Sequence, residues 1–315
     1  MIDGRARGSY EPLVLNAVVL ALCILALPCC EGSHVGGSPS QSQGDMDPGT
    51  DVARAARDRK ELLRIVTKPF DATSAKLVTL RFRGTHKIRV TEGGKEVESL
   101  DEETSIDLAR SADFHAIYQN SRGYGREVFY AAEPGTVWVR PRYGKFHRRP
   151  KSSDAEPGKL LSEIHDTLGA DLELVEHAAS LRDLGRVGHA GRNGRKIALS
   201  LASKPDLSQA PEEWRRTLVV KSLVGEVVLD EISGAILAGE LASTVSFTRD
   251  GRHFEMSLAS THKITDLGSE VSVAFPAEAG SISTPLRSRE FEDRQKLLEG
   301  IAPPAPKGPL PKEAR

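Results

Sequence analysis

The chain has 315 residues, 39% of them apolar and 28% charged, and its 43 Lys and Arg against 44 Asp and Glu leave a net charge of −1. That balance argues against a dedicated nucleic-acid binder, which would be basic overall, and against an acidic disordered chain. Aromatic residues make up only 5%, too few for base- or sugar-stacking platforms, and three cysteines exclude a disulfide scaffold and a four-cysteine zinc site.

Residues 13–28, LVLNAVVLALCILALP, are apolar except for Asn16 and follow a segment containing Arg5 and Arg7. At about 1.5 Å per residue the run spans about 24 Å, short of the roughly 30 Å hydrocarbon core, and reads as a signal-peptide h-region. It stops at Pro28-Cys29-Cys30. A cysteine at that place resembles the lipobox of bacterial lipoproteins. Leu27 stands three residues before Cys30, whereas Pro28 and Cys29 are unusual at the two positions between. The resemblance implies that Cys30 is diacylated and becomes the first mature residue, anchoring the protein to a membrane of the cell envelope, facing the periplasm. A cleaved secretory protein and an uncleaved single-span anchor are the alternatives. Residues 31–50, EGSHVGGSPSQSQGDMDPGT, are almost without apolar side chains and read as a disordered tether. Cys23, Cys29 and Cys30 all precede it, so the mature domain has no disulfide.

Val52, Ala55, Ala56, Leu62, Leu63 and Val66 recur near helical spacing until Pro69, which predicts an amphipathic helix over 51–68. From residue 76 the period becomes two. Val78, Leu80, Phe82, Ile88 and Val90 alternate with Lys, Thr and Arg, and a turn at Glu92-Gly93-Gly94-Lys95 follows. Further strands are predicted at 104–109, 113–120, 125–132 and 136–141, an antiparallel meander. Residues 157–184 carry a leucine stripe ending at Gly185 and predict a helix with a glycine C-cap. Strand signals resume at 186–202, with Asn193-Gly194 as the expected hairpin tip, and Pro211 opens a short helix carrying Trp214. Residues 217–232, 235–248 and 253–265 form the clearest β signal. Val219, Leu223, Val227 and Leu229 are expected on one face of the first, and Leu237, Leu241, Val245 and Phe247 on one face of the second. Val271, Val273, Phe275 and Pro276 suggest a short closing strand. The expected organisation is a leader over 1–30, the tether over 31–50, one α+β domain over 51–285, and a polar helix with a disordered Pro-rich tail over 286–315. Strands this long imply a large curved antiparallel sheet, an open or incomplete barrel, with helices covering one face.

Enzyme constellations do not assemble. There is no Gly-x-Ser-x-Gly elbow, His-Glu-x-x-His or Cys-x-x-Cys. The glycine-rich Gly188–Lys196 stretch runs on into an apparent strand, so it reads as a hairpin and not a phosphate loop. Glu173 and His177 are four apart on a helical face and read as solvated polar residues; no metal site or cofactor is expected. Arg140, Arg142, Lys145, Arg148, Arg149 and Lys151 are interleaved with Tyr143 and Phe146 and include no acid. They read either as a solvated strand edge or, for Arg140, Arg142, Lys145, Arg148 and Arg149, as contacts to anionic head groups.

LVGEVVLDEISGAIL and SFTRDGRHFEMSLA, after an amphipathic helix and a meander, resemble the superfamily of Lol-type lipoprotein carriers and related lipid-binding lipoproteins. Val227-Val228-Leu229-Asp230 before Ser233-Gly234, and the Phe275-Pro276 ending, carry the resemblance over about residues 52–277. It implies an incomplete barrel whose concave apolar face accepts acyl chains, without catalytic residues. The candidate ligand contacts are then Phe82, Ile106, Phe114, Tyr118, Leu223, Val227, Phe247 and Met256. Three functions stay open: a non-catalytic carrier of a lipidic ligand, a membrane-tethered envelope interaction module with a filled core, and a hydrolase using an unrecognised site, the first being the expected one.

Overall fold

Strand alternation, not helix propensity, organises the molecule. The computed structural model describes residues 50–74, 76–204, 213–281 and 290–300, all within one compact unit, 43–315. The segments expected to be a leader and a tether, up to residue 49 and including Cys30, and the expected Pro-rich tail lie outside the described residues. Three short helices come first: α1 (Val52–Ala55), α2 (Arg59–Val66) and α3 (Phe70–Ser74). The expected single helix is broken because the Asp58 carboxylate caps α2, accepting from the Lys60 and Glu61 amides.

Strands β1 (Leu80–Glu92), β2 (Lys95–Leu108), β3 (Phe114–Asn120), β4 (Gly125–Ala131), β5 (Thr136–Pro141) and β6 (His147–Pro150) form the meander. Helices α4 (Glu156–His165) and α5 (Leu168–Val175) follow, then β7 (Ala179–His189), β8 (Arg192–Leu201), α6 (Glu213–Arg216), β9 (Val219–Asp230), β10 (Ile236–Arg249), β11 (Arg252–Thr265), β12 (Gly280–Ser281) and α7 (Glu290–Leu298). All twelve strands join one sheet in the order β12-β6-β5-β4-β3-β2-β1-β11-β10-β9-β8-β7. Every pairing is antiparallel except β12 with β6, and the two edges do not pair, so the curved sheet stays an open one. The β10–β11 hairpin turns on Asp250 and Gly251, both at positive φ, the conformation that matches the twist of a two-residue hairpin.

The predicted helix over 157–184 ends early. Helix α5 stops at Val175, and residues from Ala179 are strand, paired with β8. Gly185 is therefore not a C-cap but sits at a register shift inside β7. The hairpin tip lies at Ala190-Gly191, and Gly194 is inside β8, where a Cβ would meet Val228 Cγ1 at 2.6 Å. On β9 a bulge near Thr244 shifts the register, so Val220 is buried and Val219 faces solvent, reversing one expected position. Residues 271–276 form no strand. The segment after β11 runs along the sheet from β1, where Thr79 donates to the Ser269 carbonyl, to β6, where the Gly280 amide donates to the Phe146 carbonyl.

One face of the sheet packs on the helices. Two apolar clusters form there. One joins α1, α2 and α5 to Ile88, Leu100, Leu223, Val227, Phe247 and Met256. The other joins α3 and α4 to Phe82, Ile106, Phe114, Tyr118, Val128 and Ile264. On the opposite face charged residues pair across strands, as in Arg83–Asp107, Arg89–Asp101 and Lys196–Glu226.

Candidate functional site

The two clusters are divided by a band of polar residues on the helix-covered face. Strand period two puts Phe82, Gly84, His86 and Ile88 of β1 on that face. Register then sets Gly84 between Thr104 and His262, and His86 between Glu102 and Ser260. Tyr118 and Asn120 extend the band onto β3. Helix α5 adds Asp171 from above, and α7 brings Arg294.

His86 is the centre. Its Nδ1 lies 2.8 Å from Glu102 Oε2 and its Nε2 lies 2.8 Å from Asp171 Oδ1, with all three side chains fully buried. Tyr118 donates its hydroxyl to Glu102, and Asn120 donates to that hydroxyl at 3.2 Å. Arg294 stands 3.6 Å from the same Glu102 carboxylate. Burial alone would push the His86 imidazole down, but the Asp171 and Glu102 carboxylates outweigh it and raise its pKa to about 9. Burial pushes Glu102 up, while Arg294, His86 and Tyr118 together hold it below the usual carboxylate range. Tyr118 is held protonated by burial and by the Glu102 charge. At neutral pH the band thus holds an imidazolium clamped between two carboxylates.

A second, uncharged pair lies beside it. The His165 and His262 rings meet edge to face at 4.6 Å, and both pack on Phe82. Burial depresses both, His262 to about 4. His262 Nε2 lies 2.8 Å from the Ile236 carbonyl and donates to it, which leaves Nδ1 as a buried acceptor. Thr104 Oγ1, Thr167 Oγ1, Ser243 Oγ, Ser260 Oγ and Asp171 Oδ2 are likewise buried without a hydrogen-bond partner among the described residues. Each such atom costs about 1–3 kcal/mol.

The geometry at His86 is that of a closed, fully buried ion cluster. A general base needs a free lone pair within reach of substrate, and both His86 nitrogens are committed as donors. No group of three His, Cys, Asp or Glu side chains among the described residues has metal-binding geometry. Glu173 and His177 fall on different elements, α5 and the short turn of helix at 176–178, and the His177 carbonyl accepts from Arg59.

All eight sequence-derived contact candidates lie on the helix-covered face, none more than 5% exposed. Phe82, Ile106, Phe114 and Tyr118 fall in one cluster and Leu223, Val227, Phe247 and Met256 in the other, with the polar band between. Sequence reasoning missed His86, Glu102, Asp171 and Arg294. The signal was present for the first two, because polar residues occupy inward positions of β1 and β2 where the alternation calls for apolar ones.

The five head-group candidates separate. Arg140 pairs with Glu127, Arg142 donates to the Asn120 carbonyl, and Arg149 is buried against Glu156, which takes it off the surface. Lys145 and Arg148 remain exposed. The opposite face of the sheet also carries an open groove of about 650 Å³, floored by Thr85 and Thr261 and flanked by Arg83, Lys263, Glu103 and Glu240.

No known family profile and no curated protein matches the chain. Solved structures do. The chain is similar to LprF of Mycobacterium bovis at 12% identity, over 70% of this chain and 98% of that one, with a TM-score of 0.26. It is similar to the lipoprotein LppX of Mycobacterium tuberculosis at 12% identity, over 70% and 100% of the two chains, with a TM-score of 0.23. A LolA superfamily protein from Nitrosomonas europaea matches at 8% identity, over 68% and 94%, with a TM-score of 0.18. Identities and TM-scores this low carry no residue roles across.

Proposed function

We propose that the chain is a non-catalytic binding protein of the cell envelope, anchored through Cys30, that takes a lipidic ligand between its sheet and the helices covering it. The observation that carries this reading is the incompletely hydrogen-bonded polar band set between two apolar clusters beneath α4 and α5. An amphiphile has the same order of chemistry. Its polar group would satisfy Thr104, Ser260 and His262, and its chain would lie along one apolar cluster, each buried CH₂ contributing about 0.8 kcal/mol. All eight contact candidates are covered, so entry requires α4 and α5 to lift from the sheet. The unpaired polar atoms beneath them weaken that seam.

The second reading is a membrane-tethered interaction module whose core is permanently filled. The burial of all eight candidates favours it. Organic extraction of the full-length Cys30→Ser protein, analysed by mass spectrometry, separates the two, because this variant carries no acyl group at Cys30. The carrier reading expects one acyl class near one per chain and enriched over bulk membrane lipid. Recovery of bulk lipid alone leaves the interaction module. The anchor has its own test: Cys30→Ser should abolish metabolic labelling by a fatty-acid probe, and persistent labelling would place the anchor elsewhere.

A further inference from the structure

The tertiary structure gathers aromatic side chains that are scattered in the sequence. On the face of the sheet away from the helices, Phe129 of β4 meets Phe146 at 5.6 Å and Phe275 at 6.3 Å between ring centroids, and Trp138 of β5 meets Phe275 at 5.1 Å. Phe275 arrives from more than 120 residues away, on the segment that leads to β12. Trp138 and Phe146 are half-buried, and Phe275 and, in the β5–β6 turn, Tyr143 are exposed. Cations frame these rings. The Arg140 guanidinium lies 4.5 Å over Phe146, Arg142 lies 5.3 Å from the Tyr143 ring, and Arg148 stands directly across from Trp138 in the β5–β6 register. The nearby carboxylate, Glu127, is paired with Arg140 and lies 2.8 Å from His115 Nε2. Lys145 and Arg148 make no ion pair among the described residues.

Half-exposed Trp, Tyr and Phe with free cations beside them match the chemistry of a bilayer interface: rings at the head-group level, Lys and Arg toward anionic phosphates. A nucleic acid is a poorer fit, since the chain is net acidic and the rings pack on one another in a cluster, without the open stacking faces that bases need. We propose that this corner of the sheet, centred on Trp138, Phe275, Lys145 and Arg148, docks the folded domain onto an anionic membrane surface. The contact is distinct from the anchor at Cys30 and independent of any cargo held under the helices.

Trp138 is its own reporter. The full-length protein, with Trp214→Phe to silence the second indole, is reconstituted through its anchor into vesicles of phosphatidylglycerol or of phosphatidylcholine carrying brominated acyl chains. Trp138 fluorescence should be quenched in phosphatidylglycerol vesicles and much less in phosphatidylcholine. Each cation at an anionic surface is worth about fivefold in partitioning, so Lys145→Ala with Arg148→Ala should lower the docked-to-free ratio about 25-fold. High salt should act in the same direction. Both cations are exposed, so the substitutions leave the fold intact, and an unchanged circular dichroism melt verifies this. Equal quenching in both lipids, no quenching in either, or quenching indifferent to the two substitutions overturns the proposal. Lipid-free, concentration-dependent shielding of Trp138 would also overturn it and assign the corner to a second copy of the chain.

Discussion

Removing the imidazole of His86 tests the electrostatics of the interior most directly. In the variant His86→Leu the Glu102 and Asp171 carboxylates lose the donor that both share at 2.8 Å and are left buried with Arg294 as the nearby cation and the Tyr118 hydroxyl donating to Glu102. Breaking a buried ion pair from one side costs about 3–5 kcal/mol. At about 2–4 °C per kcal/mol for a domain of this size, the melting temperature should fall by about 10 °C. The pH dependence gives an independent measure. His86 is raised from 6.5 to about 9, so its contribution is fully present below pH 6.5 and is lost as pH rises through 9. The shift corresponds to about 3 kcal/mol. Urea unfolding of the parent and of His86→Leu between pH 6 and 10 should therefore show a stability gap that is widest at pH 6 and shrinks by about that amount toward pH 10. A gap that is constant with pH, or a variant as stable as the parent at pH 7, would refute the assignment of an imidazolium held between two carboxylates.

Two further outcomes follow from local geometry. Gly84→Ala places a methyl 2.6 Å from Thr104 Oγ1, 2.7 Å from Phe82 Cζ and 3.3 Å from the Thr261 carbonyl, so it should destabilise by about 1–3 kcal/mol in urea unfolding. Burial pushes Glu156 up, but Arg149 and the Ser152 amide outweigh it and hold its pKa at about 2, so the stability it contributes is present above pH 4.5 and is lost as pH falls through 2. Arg149→Met should flatten the acid limb of the stability profile in that window, and an unchanged limb would show that the pair does not set it.

Local chemistry alone determined the hairpins of this protein. Strands β1, β2, β10 and β11 alternate strictly enough, and Glu92–Lys95 and Arg249–Arg252 turn tightly enough, that hairpin partners and facing are legible from neighbouring residues. The helix over 157–184 was not. Its leucine stripe continues past Val175, yet Ala179 to Asp183 gain more by pairing with β8 than by extending a helix, and that choice depends on a strand still to come in the chain. The placement of Phe275 against Trp138 likewise depends on where the segment after β11 crosses the sheet.

The polar band divides in the same way. Position within a strand puts His86 and Glu102 on the inward face, but nothing nearby in sequence says that Asp171, 85 residues on, will take the other imidazole nitrogen, or that Arg294 will come to Glu102. Alone, each of these groups would be a buried charge too costly to keep. Packing of α5 and α7 on the sheet supplies the counter-charges, so only the assembled fold turns inward-facing polar residues into a balanced ionic centre.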